Sequence, residues 1–273
     1  MNMHCENLDL DAANPAACEK VLSICSAGVL ETTITVPSRV GNQAPLLALH
    51  GISRNAAEIT GAFAEVAETA GRIVVVPHFS AANWPVYQRI TRRARPDKSL
   101  LSLFETLRAM DSVFDGPIDL FGFSGGAQLA HRFAMLYPEA VGDLYLGAAG
   151  WYTLPQSDVE YPYGLRDSEN GSKRWSRLMC SGLHRYLRRD FTVYVGEHDT
   201  ERDESLRQNL LVDEHQGFHR LERARSYVAA LNSQQAELGL PCTARLEVLP
   251  GCDHRFSICN TRGAIARRVL TQL

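Results

Sequence analysis

Short apolar runs alternate along this chain with longer stripes spaced like helix faces, and that rhythm constrains the fold most. Leu46-Leu47-Ala48-Leu49, Arg72 to Pro77, Ile118 to Gly122, Leu144-Tyr145-Leu146 and Phe191 to Val195 are apolar almost throughout. Runs of that kind suit strands covered on both faces, as in a parallel sheet. Leu30 to Val36 alternates at period two and reads as a half-exposed strand near a sheet edge, and Ala244 to Leu249 reads as the last strand. Between them, Ile59, Ala62, Phe63, Val66, Ala67 and Ala70 share one helix face, and Leu100, Leu103, Phe104, Leu107, Met110 and Phe114 share another. A third stripe runs from Phe218 to Leu238, and Ile258, Ile265, Val269 and Leu273 form a closing helix. Strands alternating with such helices predict an α/β fold, a mainly parallel central sheet with helices on both faces.

The rhythm breaks once. From Trp151 to Arg189 the chain is rich in aromatics and turn formers, between the strands near 144–146 and 191–195. A long irregular segment in a compact domain is more often a lid or binding loop than a linker. Residues 1–273 therefore read as a single domain, with 151–189 a lid-like insertion.

In open α/β sheets, ligands bind beyond the carboxyl ends of the strands. Functional residues are therefore expected just after strands, and Ser124 in Gly122-Phe123-Ser124-Gly125-Gly126 meets that condition. It follows the Ile118 strand and precedes a good helix former, Ala127 to Tyr137, which Pro138 stops. A strand that turns straight into a helix with a nucleophile at its tip is strained, and side chains at 122 and 126 would crowd it. The competing reading is a glycine-rich turn whose serine merely caps the helix.

A serine hydroxyl needs a histidine base held by an acid. Of nine histidines, His254 lies in the turn Pro250-Gly251-Cys252-Asp253-His254 after the last strand. His78 also follows a strand and is the next contender, whereas His131 lies inside a helix and reads as structural. The acid is expected at Asp199, in Gly196-Glu197-His198-Asp199 after the Phe191 strand, with Glu197 and Asp203 as neighbours able to substitute. Asp253 reads as a turn former beside His254. His50-Gly51-Ile52-Ser53-Arg54-Asn55 follows the Leu46 strand, and the amides of Ile52 and Gly125 would make an oxyanion hole. Ser53 or Asn55 would cap the following helix, and Ser53 is also a candidate substrate contact.

These motifs, in this order, resemble those of the α/β-hydrolase superfamily from about Leu30 to the end. Pro77-His78-Phe79 and the surroundings of Ser124 are most similar to its polyhydroxyalkanoate-depolymerase-like and feruloyl-esterase-like branch. The resemblance implies ester hydrolysis through an acyl-enzyme with no cofactor. The absence of a leader, linker and substrate-binding domain sets the chain apart from secreted depolymerases and speaks against an insoluble polymer.

The expected function is cleavage of a soluble small-molecule carboxylic ester by Ser124, His254 and Asp199. Trp151, Tyr152 and Trp84, with Tyr161 and Tyr163, would line a pocket, unless they pack the insertion onto the body. Acyl transfer and thioester or amide cleavage by the same groups are the alternatives, as is a receptor that keeps the fold without turnover. Metal hydrolysis ranks below these, because no His-Glu-x-x-His spacing occurs. A net charge of −3 gives no reason to expect nucleic acid or an anionic membrane. The arginine clusters at 92–95 and 185–189 read as solvated faces, or as a landing place for an anionic substrate. Seven cysteines without a Cys-x-x-Cys, and no apolar run near ~20 residues, fit a reduced cytoplasmic protein.

Overall fold

The computed structural model describes residues 18–25, 29–167 and 173–272. The first residues of the chain and 168–172 of the insertion lie outside the described residues.

Eight strands form one sheet: β1 (Cys18–Cys25), β2 (Val29–Val36), β3 (Leu46–Leu49), β4 (Val74–His78), β5 (Ile118–Phe123), β6 (Val141–Gly147), β7 (Phe191–Gly196) and β8 (Ala244–Leu249). Their spatial order is β1-β2-β4-β3-β5-β6-β7-β8. β2 runs antiparallel to β1 and β4, and every other pairing is parallel. The Leu30 run is thus second from the edge, shielded by a strand the apolar pattern did not announce. The helices are α1 (Ala56–Ala70), α2 (Pro96–Met110), α3 (Gly125–Leu136), α4 (Lys173–Tyr186), α5 (Leu210–Gln216), α6 (Arg220–Glu237), α7 (Phe256–Thr261) and α8 (Ile265–Thr271).

The period of two sorts the strand side chains into two cores. Leu47, Leu49, Ile73, Val75, Ile118 and Leu120 join the core under α2, α3, α4 and α6. Their neighbours Leu46, Ala48, Val74, Val76, Phe121 and Phe123 join a second core under α1, α7 and α8. Helices therefore cover both faces, and the central strands are apolar throughout for that reason.

Two expectations are corrected. The closing stripe from Ile258 onward is two short helices, because the chain turns at Ala264, whose φ is 51°. The insertion is not irregular throughout. Its second half is α4, which packs on α3, and its aromatics Tyr152, Tyr161 and Tyr163 are buried in the larger core. Among the described residues, no helix is long and apolar enough to cross a membrane.

The chain leaves β3 for β4 on one side and returns through β5 on the other, so the sheet's strand order reverses between β3 and β5. A crevice opens beyond the carboxyl ends of two strands at such a point.

Candidate active site

Ser124 sits at that crevice, between β5 and α3. Its φ of 52° and ψ of −112° lie where a non-glycine residue is strained. The conformation is held on both sides. Its amide donates to the Gly147 carbonyl at 2.7 Å, and glycines let the turn close. A Cβ on Gly122 would stand 2.5 Å from the Gly126 carbonyl, and one on Gly126 would stand 2.2 Å from the Leu49 carbonyl oxygen. The residue does not cap the helix through its side chain. Its hydroxyl is instead 3.1 Å from His254 Nε2.

His254 comes from the loop after β8, and its Nδ1 lies 2.8 Å from Asp199 Oδ2, in the loop after β7. The imidazole stacks on Phe123 with ring centres 5.6 Å apart, and Phe256 braces Phe123 edge-on. Three strand ends thus bring serine, histidine and aspartate into one hydrogen-bonded line. Glu197 is occupied with the Gly251 amide, Asp203 with Arg220, and Asp253 with the guanidinium and amide of Arg255. His78 lies apart and faces Glu31.

The loop after β3 lies over the first turn of α3. A Cβ on Gly125 would be 3.3 Å from the Ile52 nitrogen, so the two backbone segments that carry these amides adjoin beside Ser124. The amide of Gly125 is among the first-turn donors that an α-helix leaves unpaired. His50 anchors the loop from beneath. Its Nδ1–H donates to the Gly51 carbonyl at 2.8 Å, and its Nε2 accepts the Phe79 amide at 3.0 Å. Burial lowers its pKa to about 4, against the Gly51 hydrogen bond, so the ring is neutral. The Tyr87 hydroxyl donates to the His50 carbonyl. Arg54, at φ 61°, donates to the carbonyls of Phe79, Trp84 and Pro85 and lies over the Tyr87 ring. Asn55 does not cap α1, since its side chain turns back to accept the Gly51 amide at 3.1 Å.

Two lobes of one cleft meet at Ser124 and Ile52. The larger, about 580 Å³, is lined by His254, Phe123, Phe256, Arg255 and Ser53. The smaller, about 230 Å³, is lined by Gly125, Gln128, Trp151, Arg89 and Arg207. Ser53 and Trp151 thus stand where the sequence suggested. Trp84 and Tyr152 line neither lobe. Trp84 packs edge-on against Phe79 in the core, and Tyr152 is fully buried with its ring stacked on Tyr227. Both rings are held in the close-packed core, where their large apolar area is removed from solvent.

Several residues at the site escaped the sequence reading. Gln128 could have been found, because it sits one helical turn after Ser124 and so shares its face of α3. Arg89, Arg207 and Arg220 carried no motif. Arg220, at the start of α6, donates through Nη1 to Asp199 at 3.4 Å and to Asp203 at 3.2 Å, and through Nη2 to Ser205 at 2.7 Å.

No protein-family model matches the chain, and no curated protein matches it in sequence. Solved structures do match it in shape. A poly(aspartic acid) hydrolase from Sphingomonas sp. KT-1 superposes with a TM-score of 0.74 at 23% identity, over 94% of this chain and 98% of that one. A poly(3-hydroxybutyrate) depolymerase from Bordetella parapertussis gives 0.73 at 22% identity, over 94% of this chain and 89% of that one. A fluorophosphonate-binding serine hydrolase from Staphylococcus aureus gives 0.60 at 14% identity, over 94% of this chain and 98% of that one. The chain has the α/β-hydrolase fold.

Proposed function

We propose that the protein is a serine hydrolase that cleaves a carboxylic ester of a small molecule through an acyl-enzyme. The reading rests above all on the unbroken line from Ser124 Oγ through His254 to Asp199. Ser124 Oγ attacks the ester carbonyl while His254 Nε2 takes its proton, and Asp199 holds the Nδ1–H and balances the imidazolium. The oxyanion forms beside the amides of Gly125 and Ile52. As it collapses, the bond to the alcohol oxygen breaks, and His254 returns its proton to that oxygen. Water then attacks the acyl-serine, passes a proton to His254 and releases the acid, and the proton returns to Ser124.

This cycle assigns the lobes. The leaving oxygen must reach Nε2 of His254, which lines the larger lobe and not the smaller. The alcohol therefore occupies the larger lobe and the acyl group the smaller.

The same groups can open an amide, and a neighbour of this fold is described as a poly(aspartic acid) hydrolase. A non-catalytic receptor would keep the cleft without a nucleophile. One experiment separates these readings. The protein is treated with a fluorophosphonate and mapped by mass spectrometry, then assayed on matched p-nitrophenyl esters and p-nitroanilides. Labelling at Ser124, with ester turnover abolished in a folded Ser124→Ala variant, is expected. No label on Ser124 returns the receptor, and anilide turnover matching the ester makes it an amidase.

A further inference from the structure

The smaller lobe carries an excess of positive charge that the protein does not neutralise. Arg89 and Arg207 line it, and neither guanidinium forms an ion pair among the described residues. Arg207 is fixed by its Nε–H, which donates to the Tyr163 hydroxyl, and its head lies over the rings of Tyr163 and Trp151. Arg220 also lines the lobe, but Asp199 and Asp203 match its charge. The one carboxylate on the wall, Glu204, is exposed and pairs with neither free arginine among the described residues.

A third guanidinium stands just behind. Arg132 is 1% exposed and lies on the Trp151 ring, with its carbon 3.9 Å from the ring centre. Its Nε donates to Thr153 and its Nη1 to the Gln88 carbonyl, while its Nη2 has no hydrogen-bond partner among the described residues. No acid faces it. Burial, with the nearby Arg89, lowers its pKa to about 10, against the pull of Tyr161, Tyr227 and Tyr163. A buried cation with no counter-ion is costly in a folded protein unless something binds beside it. Gln128 adds a neutral handle. Its side chain is buried, lines the lobe beside Gly125, and makes no hydrogen bond among the described residues.

We propose that this lobe receives a carboxylate, so that the acyl group transferred to Ser124 is that of a short dicarboxylic acid and the substrate is its half-ester. Arginine suits this task, because its planar fork meets a carboxylate with paired N–H donors. The size agrees. A lobe of about 230 Å³ has room for a short acyl chain such as a glutaryl group. The inference rests on the serine-hydrolase reading for its acyl step, and its test includes one arm that does not.

Monoethyl glutarate is compared with ethyl 5-oxohexanoate, which has the same length with a methyl ketone in place of the carboxylate. The wild-type protein is expected to prefer the half-ester at least tenfold in kcat/KM, and Arg89→Glu, at an exposed position, is expected to bring the ratio to one or below. In the turnover-independent arm, titration calorimetry follows glutarate into Ser124→Ala, with binding lost in Ser124→Ala/Arg89→Glu. A wild-type ratio of one or less, or no glutarate binding to Ser124→Ala, overturns the proposal. If Ser124 takes no fluorophosphonate, the hydrolase reading fails, and glutarate binding still decides the anion site.

Discussion

Arg220 stands 3.4 Å from Asp199 Oδ1, on the carboxylate oxygen that His254 does not use. Both side chains are almost wholly buried, and Arg220 also ties Asp203, and Ser205 at the edge of the cleft, to the acid. Removing one member of a buried pair leaves the other uncompensated, at ~3 kcal/mol or more. Arg220→Gln is therefore expected to lower unfolding free energy by about 3 kcal/mol and kcat by about tenfold, read by denaturant melts and ester kinetics. The pH dependence tells the pair apart from mere packing. Burial opposes it, but the hydrogen bonds from Arg220 and Ser205 hold Asp203 well below the carboxylate range. A depressed folded pKa stabilises above the unfolded value of ~3.9 and ceases to do so as pH falls through the folded one. The gap between wild type and variant should narrow below pH ~4. A gap constant down to the acid limit would refute the pairing.

Acid should also unfold the protein through two histidines that the fold keeps neutral. His50 and His131 are both fully buried, and desolvation lowers each pKa, to about 4 for His50 and well below the ordinary value for His131. In the unfolded chain both take up a proton near pH ~6.5. The unfolded state thus binds more protons below that point, and stability falls as pH falls. For His50 the loss between pH ~6.5 and ~4 is about 3 kcal/mol. His50→Gln can keep a donor to the Gly51 carbonyl and an acceptor for the Phe79 amide without the charge. Its urea midpoint should fall less steeply with pH than that of the wild type, and an equal slope would remove His50 from this account.

The lobe assignment predicts an asymmetric ester panel. The larger lobe, on the His254 side, is walled partly by Phe123 and Phe256 and holds about 580 Å³, against about 230 Å³ for the other. Lengthening the alcohol from ethyl to hexyl should change kcat/KM by less than about tenfold. Lengthening the acyl chain by the same amount should cost far more. The reverse pattern would exchange the two lobes.

Much of this site was legible because its chemistry obeys local rules. The apolar runs marked every strand but β1, and a strand end followed by Gly-x-Ser-x-Gly or by a Gly-Glu-His-Asp turn singles out Ser124 and Asp199 without any knowledge of packing. Pairing His254 with Asp199 needed only the fold's topology. What stayed hidden depends on which side chain is covered. Tyr152 and Trp151 are adjacent and both aromatic, yet one stacks on Tyr227 inside the core and the other lines the cleft. No periodicity separates them, because the insertion has no regular face there. Arg220 and Asp199 are 21 residues apart, and only the docking of α6 against the loop after β7 brings them together. Two helical segments stay hidden for a related reason. α4 has its apolar face set by contact with α3 inside a segment full of turn formers, and the final stripe conceals a break at Ala264.

Adjacent glycines at the turn predict opposite defects, and that contrast tests the local geometry most directly. A Cβ on Gly126 would meet the carbonyl oxygens of Leu49 and His50 at 2.2 and 2.6 Å. Both belong to the backbone at the end of β3, in the middle of the sheet, where nothing can give way without breaking strand pairing. Gly126→Ala should therefore fail to fold or lose more than about 4 kcal/mol of stability, as overpacking against fixed backbone does at its worst. A Cβ on Gly125 would meet Ile52 Cγ2 at 2.6 Å and the Ile52 nitrogen at 3.3 Å. Ile52 is 44% exposed, so its side chain can swing away, and the remaining strain falls on the Tyr87 hydroxyl, 3.1 Å from the new Cβ, and on the Ile52 amide beside Ser124. Gly125→Ala should thus melt within about 1.5 kcal/mol of wild type, as tolerated local changes do. It should nevertheless lose about 100-fold in kcat, the scale of one displaced oxyanion donor. Thermal melts and ester kinetics on the two variants decide the matter. If Gly125→Ala is unstable and Gly126→Ala is merely slow, the backbone of the turn is arranged otherwise and the amides of Gly125 and Ile52 do not hold the oxyanion.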